Sequence, residues 1–163
     1  MVKIIFAILA LVVIVILGTI GSRFLSEQLR PFSLYPQETT QQATVTILNQ
    51  TFTVSIARTE EEKQIGLFEE TTLAQTYGML FVYETPGDYG FWMKNMKIPI
   101  DIIFIRQGRI VTIYQNVAPS ASTNETQLIY KPEEPADMVL EIQSGLSQKY
   151  GFQKGDTLEI KGL

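Results

Sequence analysis

The side chains best equipped for chemistry crowd into residues 91–101, Phe-Trp-Met-Lys-Asn-Met-Lys-Ile-Pro-Ile-Asp, which hold the sole tryptophan and two of the five methionines. Residues 91–95 read as a strand. Alternation along a strand puts Phe91, Met93 and Asn95 on one face and Trp92 beside Lys94 on the other. Pro99 cannot donate to a ladder and pushes Ile98 into an extended conformation, interrupting the pairing before the next strand. Asp101 then opens the run Ile102, Ile103, Phe104, Ile105, apolar on both faces as a covered strand would be. A second carboxylate, Glu141, lies inside another apolar strand pattern at residues 138–142.

Two chemistries suit this set. Trp92, Lys94, Asn95, Asp101 and Glu141 can line a pocket for a small polar ligand, the indole supplying an apolar platform and the amide and charges its orientation. Asp101 and Glu141, with Glu62 and Lys94 in reach of the same role, can instead act as acid and base if their environments push their pKa values apart, as in a hydrolase of cell-envelope glycans. The plainer alternative is a structural or assembly domain in which Trp92 and Met93 are core residues and Asp101 a structural cap, because an unpaired buried charge costs several kcal/mol, roughly. Whether the chain is an enzyme stays open at this level.

The composition closes other routes. With no cysteine and no histidine, a thiol nucleophile, a disulfide framework, a Ser-His-Asp triad and a thiolate or imidazole zinc site are all excluded. No metal site or cofactor is expected; a metal would have to be a hard, oxygen-ligated cation. From Ala43 onward ten basic residues face fifteen acidic ones, and no basic patch marks a nucleic-acid partner.

The elements that must position these residues begin with an apolar leader. Seventeen uncharged residues run from Ile4 to Ile20, about 25 Å of helix at 1.5 Å per residue, near the lower limit for spanning a bilayer. They have no polar face, exceed the apolar region of a cleaved signal and are followed by only a weak small-residue site at Thr19 and Gly21. Residues 1–22 are therefore expected to be an uncleaved membrane anchor or signal segment, residues 23–42 a Pro- and Gln-containing stalk, and residues 43–163 one globular domain. Lys3 nearly balances Arg23 and Arg30, and the usual arrangement for such an anchor puts the domain outside the cytoplasm. The expected partners are the membrane and a small polar ligand or envelope component.

From Thr44 the pattern changes to period two. A hairpin is expected over residues 44–56 with its turn at Asn49-Gln50. Thr59 and Glu62 form a capping box that opens a short helix ending near Gly66. A strand at residues 79–83, a turn at Thr85-Pro86-Gly87-Asp88, a hairpin around Gln107-Gly108, a polar surface loop over residues 118–125, a helix capped by Ser144 and stopped at Gly151, and a last strand at 157–160 complete the reading. Strands dominate and no repeated βαβ pattern appears. The fold class expected is mainly β (α+β): a small, mostly antiparallel, barrel-like sheet with one or two short helices, behind an N-terminal transmembrane helix.

Gly66-Leu67, Gly78-Met79-Leu80-Phe81, Phe91-Trp92-Met93-Lys94-Asn95, Ile98-Pro99-Ile100-Asp101, Leu140-Glu141 with Gly145, and Gly155-Asp156 together resemble the uncharacterised prokaryotic family called domain of unknown function 192. The resemblance spans about Val45 to Ile160. It implies a compact β-rich fold, often behind an export signal or membrane anchor, with no established activity. Phe68, Glu70 and Met96 depart from the methionine, arginine and threonine common at those places in the family, so that arginine and that hydroxyl are not available here to a shared site.

Overall fold

The computed structural model describes residues 42–120 and 128–163. The expected anchor, the stalk and most of the 118–125 loop lie outside the described residues. Among the described residues no helix is long and apolar enough to cross a membrane.

Among the described residues there are seven strands and two short helices: β1 (Gln42–Ile47), β2 (Gln50–Ala57), α1 (Glu60–Ile65), β3 (Tyr77–Gly87), β4 (Ile100–Arg106), β5 (Arg109–Val117), β6 (Ala136–Gln143), α2 (Leu146–Tyr150) and β7 (Leu158–Lys161). The strands form one sheet in the order β5-β4-β6-β3-β2-β1-β7. Every pairing is antiparallel except β2 with β3, which are parallel and joined through α1. The sheet curls until its edges meet. Arg109 bridges Thr157, the Ile110 and Leu158 amides donate to the Asp156 and Gly108 carbonyls at 2.9 and 2.8 Å, and two otherwise open edges are thereby partly blunted.

Alternation along the strands divides the core between the two faces. The enclosed face gathers Val45, Ile47, Phe52, Val54, Leu80, Ile103, Leu140 and Ile142, with Leu146 of α2 and Phe152 closing it. The other face, built on β3 to β6, carries Phe81, Ile100, Ile102, Phe104 and Val139, and is covered by Leu67, Leu73, Met93 and Ile98 from the connecting segments. β4 is buried on both sides, as its unbroken apolar run anticipates. Burying each large apolar side chain contributes about 1.5–3 kcal/mol, so Phe52, Phe81 and Phe104, all essentially inaccessible, are major anchors.

Local signals account for several elements. At α1 the Thr59 hydroxyl accepts from the Glu62 amide at 3.2 Å while the Glu62 carboxylate accepts from the Thr59 and Arg58 amides at 2.8 and 2.7 Å, completing the capping box. Gly66 ends the helix at φ 51°, a conformation that favours glycine. The β4–β5 turn puts Gln107 and Gly108 both at positive φ, 50° and 70°, which matches the right-handed twist of the hairpin.

Elsewhere the structure differs from the pattern. Residues 91–95 are not a strand: Phe91 makes an isolated bridge to Tyr130, and the chain then turns at Lys94 and Asn95, with Asn95 left-handed at φ 61°. Asparagine tolerates that conformation better than most residues. The turn expected at Thr85-Pro86 is absent because β3 continues through Gly87; a register shift between Val82 and Gly87 leaves Pro86 where it owes no ladder bond. The first hairpin turns at Leu48-Asn49, one residue earlier than expected.

Candidate functional site

An open cleft of about 730 Å³ lies against the second face of the sheet, between α1, β3 and the segment that follows Tyr89. Glu141 belongs to its lining. In the ladder Glu141 pairs with Met79 of β3 on one side and Ile102 of β4 on the other. Its nearest cross-strand neighbours are therefore apolar. The residue is 6% exposed, and among the described residues no donor or cation meets its carboxylate. Burial without a partner favours the neutral form and pushes its pKa from the ordinary 4.5 up to about 8.

The walls are aromatic and cationic. Tyr83 follows Phe81 and Met79 on the same face of β3 and stacks on Tyr89, ring centroids 3.5 Å apart and planes 11° from parallel. Tyr89 is held in place by donating its hydroxyl to the Thr85 carbonyl at 2.6 Å. Lys63 of α1 lies 4.3 Å from the Tyr83 ring centre and 3.0 Å from Glu60, an arrangement in which a ring face and a carboxylate share one ammonium. Burial, then the nearby Tyr89, Glu60 and Glu141, drive the Tyr83 hydroxyl well above the usual phenol range. Arg58 and Lys94 complete the basic part of the lining, and Trp92 stands 55% exposed at its edge.

Ahead of β4, residues 91–96 are fixed from below rather than by a continuous strand pairing. Phe91 and Tyr130 exchange two backbone bonds of 2.9 and 2.8 Å. The Phe91 ring meets Phe81 and Phe104 edge-on, at 4.9 and 5.7 Å, geometry that aromatic pairs prefer. Met93 is buried in the core of the second face, its carbonyl accepting from the Met96 and Ser120 amides at 3.3 and 3.2 Å. With Phe91 and Met93 turned inward, Trp92 and Lys94 turn outward.

The candidate residues therefore separate. Trp92, Lys94 and Glu141 line one cleft. Asn95 occupies the exposed turn beyond it. Asp101 pairs with Ile142, one step along the ladder from the Ile102–Glu141 pair, so strand alternation sends the two carboxylates to opposite faces. Asp101 is fully buried, with Oδ1 accepting from the Asn116 and Gly145 amides at 2.8 and 2.9 Å and Oδ2 from the Ser147 amide at 2.8 Å. It satisfies free N–H groups at the start of α2, whose own N-cap Gly145 offers no side chain. Ser144, expected in that role, donates instead to Asn116 Oδ1 at 2.9 Å.

Glu62 is occupied by its capping box and does not line the cleft. Tyr83, Tyr89, Lys63 and Arg58 were not anticipated as cleft residues. The parity of Tyr83 with Phe81 along β3 was visible, but which strands would flank it was not.

The family model described as Uncharacterized ACR, domain of unknown function 192, matches residues 41–160. No curated protein matches the chain. Among solved structures, a protein named only as a proposed transcription regulator from Sinorhizobium meliloti 1021 is 31% identical with a TM-score of 0.65, over 75% of this chain and 94% of that one. A protein of unknown function from Novosphingobium aromaticivorans DSM 12444 is 36% identical with a TM-score of 0.62, over 72% of this chain and 83% of that one.

Proposed function

For a chain that belongs to the family domain of unknown function 192, we propose the function of a membrane-tethered binding module that faces outside the cytoplasm and takes a small polar ligand or envelope component in the cleft above Glu141. The observation that carries this reading is a carboxyl group buried in the sheet without a partner among the described residues, yet lining an open cleft beside an exposed indole. A ligand that hydrogen-bonds Glu141 supplies the partner its carboxyl lacks, worth about 0.5–1.5 kcal/mol net for an ordinary hydrogen bond. The tethering part rests on the uncharged, nearly all apolar run from Ile4 to Ile20.

A hydrolase built on Asp101 and Glu141 is not favoured, because one carboxylate caps α2 while the other lines the cleft on the opposite face. A regulator of transcription is not favoured either, since acidic residues outnumber basic ones in the domain and DNA affinity depends on clustered cations.

Two measurements test the proposal. Trp92 is the sole tryptophan, so its emission reports on the cleft directly. Sugars, amino acids and short peptides titrated into the full-length protein should include one that shifts it, with weaker binding in Lys94→Ala. Silence across the panel, or an identical response in Lys94→Ala, opposes the reading. Fractionation should place the full-length chain in the membrane and protease added from outside should reach the domain; recovery in the washed soluble fraction opposes the tether.

A further inference from the structure

Glu141 is an unusual floor for a binding cleft because no hydrogen bond or ion pair among the described residues holds its charged form, and burial opposes it. Met79 and Ile102 flank it across the ladder, and the basic members of the lining, Arg58, Lys63 and Lys94, come from α1 and its approach and from the 91–101 segment rather than from the sheet. None of them pairs with it. Lys63 is engaged by Glu60 and the Tyr83 ring, while among the described residues Arg58 and Lys94 make no ion pair. The cleft therefore combines a buried carboxyl group, held toward its neutral form by burial, with cations on its walls, of which Arg58 also feels the nearby Glu62 carboxylate.

A carboxylic acid has one O–H to donate, and that bond is strongest to an ionised oxygen acceptor. A cation on the wall attracts the same acceptor. The exposed Trp92 adds an apolar face of the size of a pyranose ring.

We propose that the ligand of this cleft is a small acidic saccharide, whose carboxylate accepts the hydrogen bond of the Glu141 acid within the field of Arg58 and Lys94 while its ring lies on Trp92. This rests on the binding reading given above and narrows it to a ligand class. Once Glu141 ionises, the donor becomes a second anion facing the ligand, and affinity falls. Its pKa of about 8 places that loss at mildly alkaline pH. The other titratable and charged groups lining the cleft with it are Arg58, Glu60 and Lys63 from the α1 side, Tyr83 and Glu84 from β3, and Tyr89 and Lys94 from the following segment; replacement of Glu141 alone separates its contribution from theirs.

The test is a titration of the full-length protein with glucuronate and with glucose, read by Trp92 emission between pH 6 and pH 9.5. Glucuronate should bind at least tenfold tighter than glucose at pH 6, and lose at least tenfold of that affinity by pH 9.5. Glu141→Gln, which keeps an N–H donor at the same place, should still bind glucuronate but with a nearly flat pH profile. Equal binding of the two sugars, or the same pH profile in Glu141→Gln as in the unaltered protein, overturns the acidic-saccharide assignment while leaving a binding cleft. No response to either sugar, together with no response to the wider panel of sugars, amino acids and peptides, overturns both.

Discussion

Asp101 Oδ2 accepts the backbone amide of Ser147 at 2.8 Å, joining the first turn of α2 to a strand that lies 46 residues earlier in the chain. The same carboxylate takes two more amides, from Asn116 and Gly145. One side chain thus secures β4, β5 and α2 to one another. Because α2 contributes Leu146 to the enclosed core and is followed by Phe152, the polar knot and the apolar packing support each other.

Replacing Asp101 should therefore be a stability lesion. Asp101→Ala leaves three amides without their acceptor, each costing about 1–3 kcal/mol if water does not reach it. The expected loss is at least about 3 kcal/mol in chemical denaturation. Asp101→Asn keeps one acceptor oxygen but turns an NH₂ group toward a donor, and should fall between the two. Loss of ligand response in Asp101→Asn with an unchanged melting point would contradict this role.

Glu141 predicts an opposite dependence on pH from that of an ion-paired acid. Its carboxyl holds the proton more tightly in the folded state, about 8 against 4.5, so folded molecules carry the extra proton between those values. Stability is then complete below about pH 4.5, declines as pH rises toward 8 and levels above it, by roughly 1 kcal/mol per pH unit within that window. Glu141→Gln should abolish this component and be the more stable protein at pH 8. Denaturant midpoints collected from pH 5 to pH 9 on both proteins check it.

Gly78 tests how tightly β3 sits against β6. Its Cα pairs with Ile142, and a Cβ there would run into the carbonyl oxygen of Glu141. Gly78→Ala should cost at least about 2 kcal/mol, since backbone in a central ladder cannot yield cheaply. Gly151→Ala has open space around it and pays only for its left-handed φ of 73°, about 1 kcal/mol. Equal melting temperatures for the two variants would argue against the close approach.

The capping box fixes the start of α1, which carries the cleft residue Lys63. Thr59→Ala should cost about 1 kcal/mol and loosen the helix that carries Lys63. The amides of Thr59 and Arg58 lower the Glu62 pKa below 4.5, so its stabilising contribution is present above that value and fades as pH falls through the folded-state pKa. A Thr59→Ala protein with unchanged stability at neutral pH would contradict the assignment.

What could be read in advance follows from distance along the chain. The capping box and the β4–β5 hairpin depend on residues within a few positions of one another, and both formed as their patterns indicate. Residues 91–95 mimic a strand because Phe91 and Met93 alternate with Trp92 and Lys94, but a strand needs a partner along its length, and among the described residues the one bridge is from Phe91 to Tyr130. Asp101 was recognisable as a carboxylate needing partners; its donors at Gly145 and Ser147 are brought there by the β4–β6 pairing. That same pairing decides that Glu141 and not Asp101 meets the cleft. Alternation within β6 separates Glu141 from Leu140 and Ile142, yet cannot say which face will be enclosed.

The most direct measurement follows the Glu141 side-chain carboxyl carbon by NMR as pH is raised in the ligand-free protein. A buried acid without a partner should titrate near pH 8, with Glu141→Gln identifying the resonance by its loss. A midpoint in the ordinary carboxylate range, near 4.5, would mean that water or a cation already satisfies this group, and the cleft would lose the feature on which its proposed function depends.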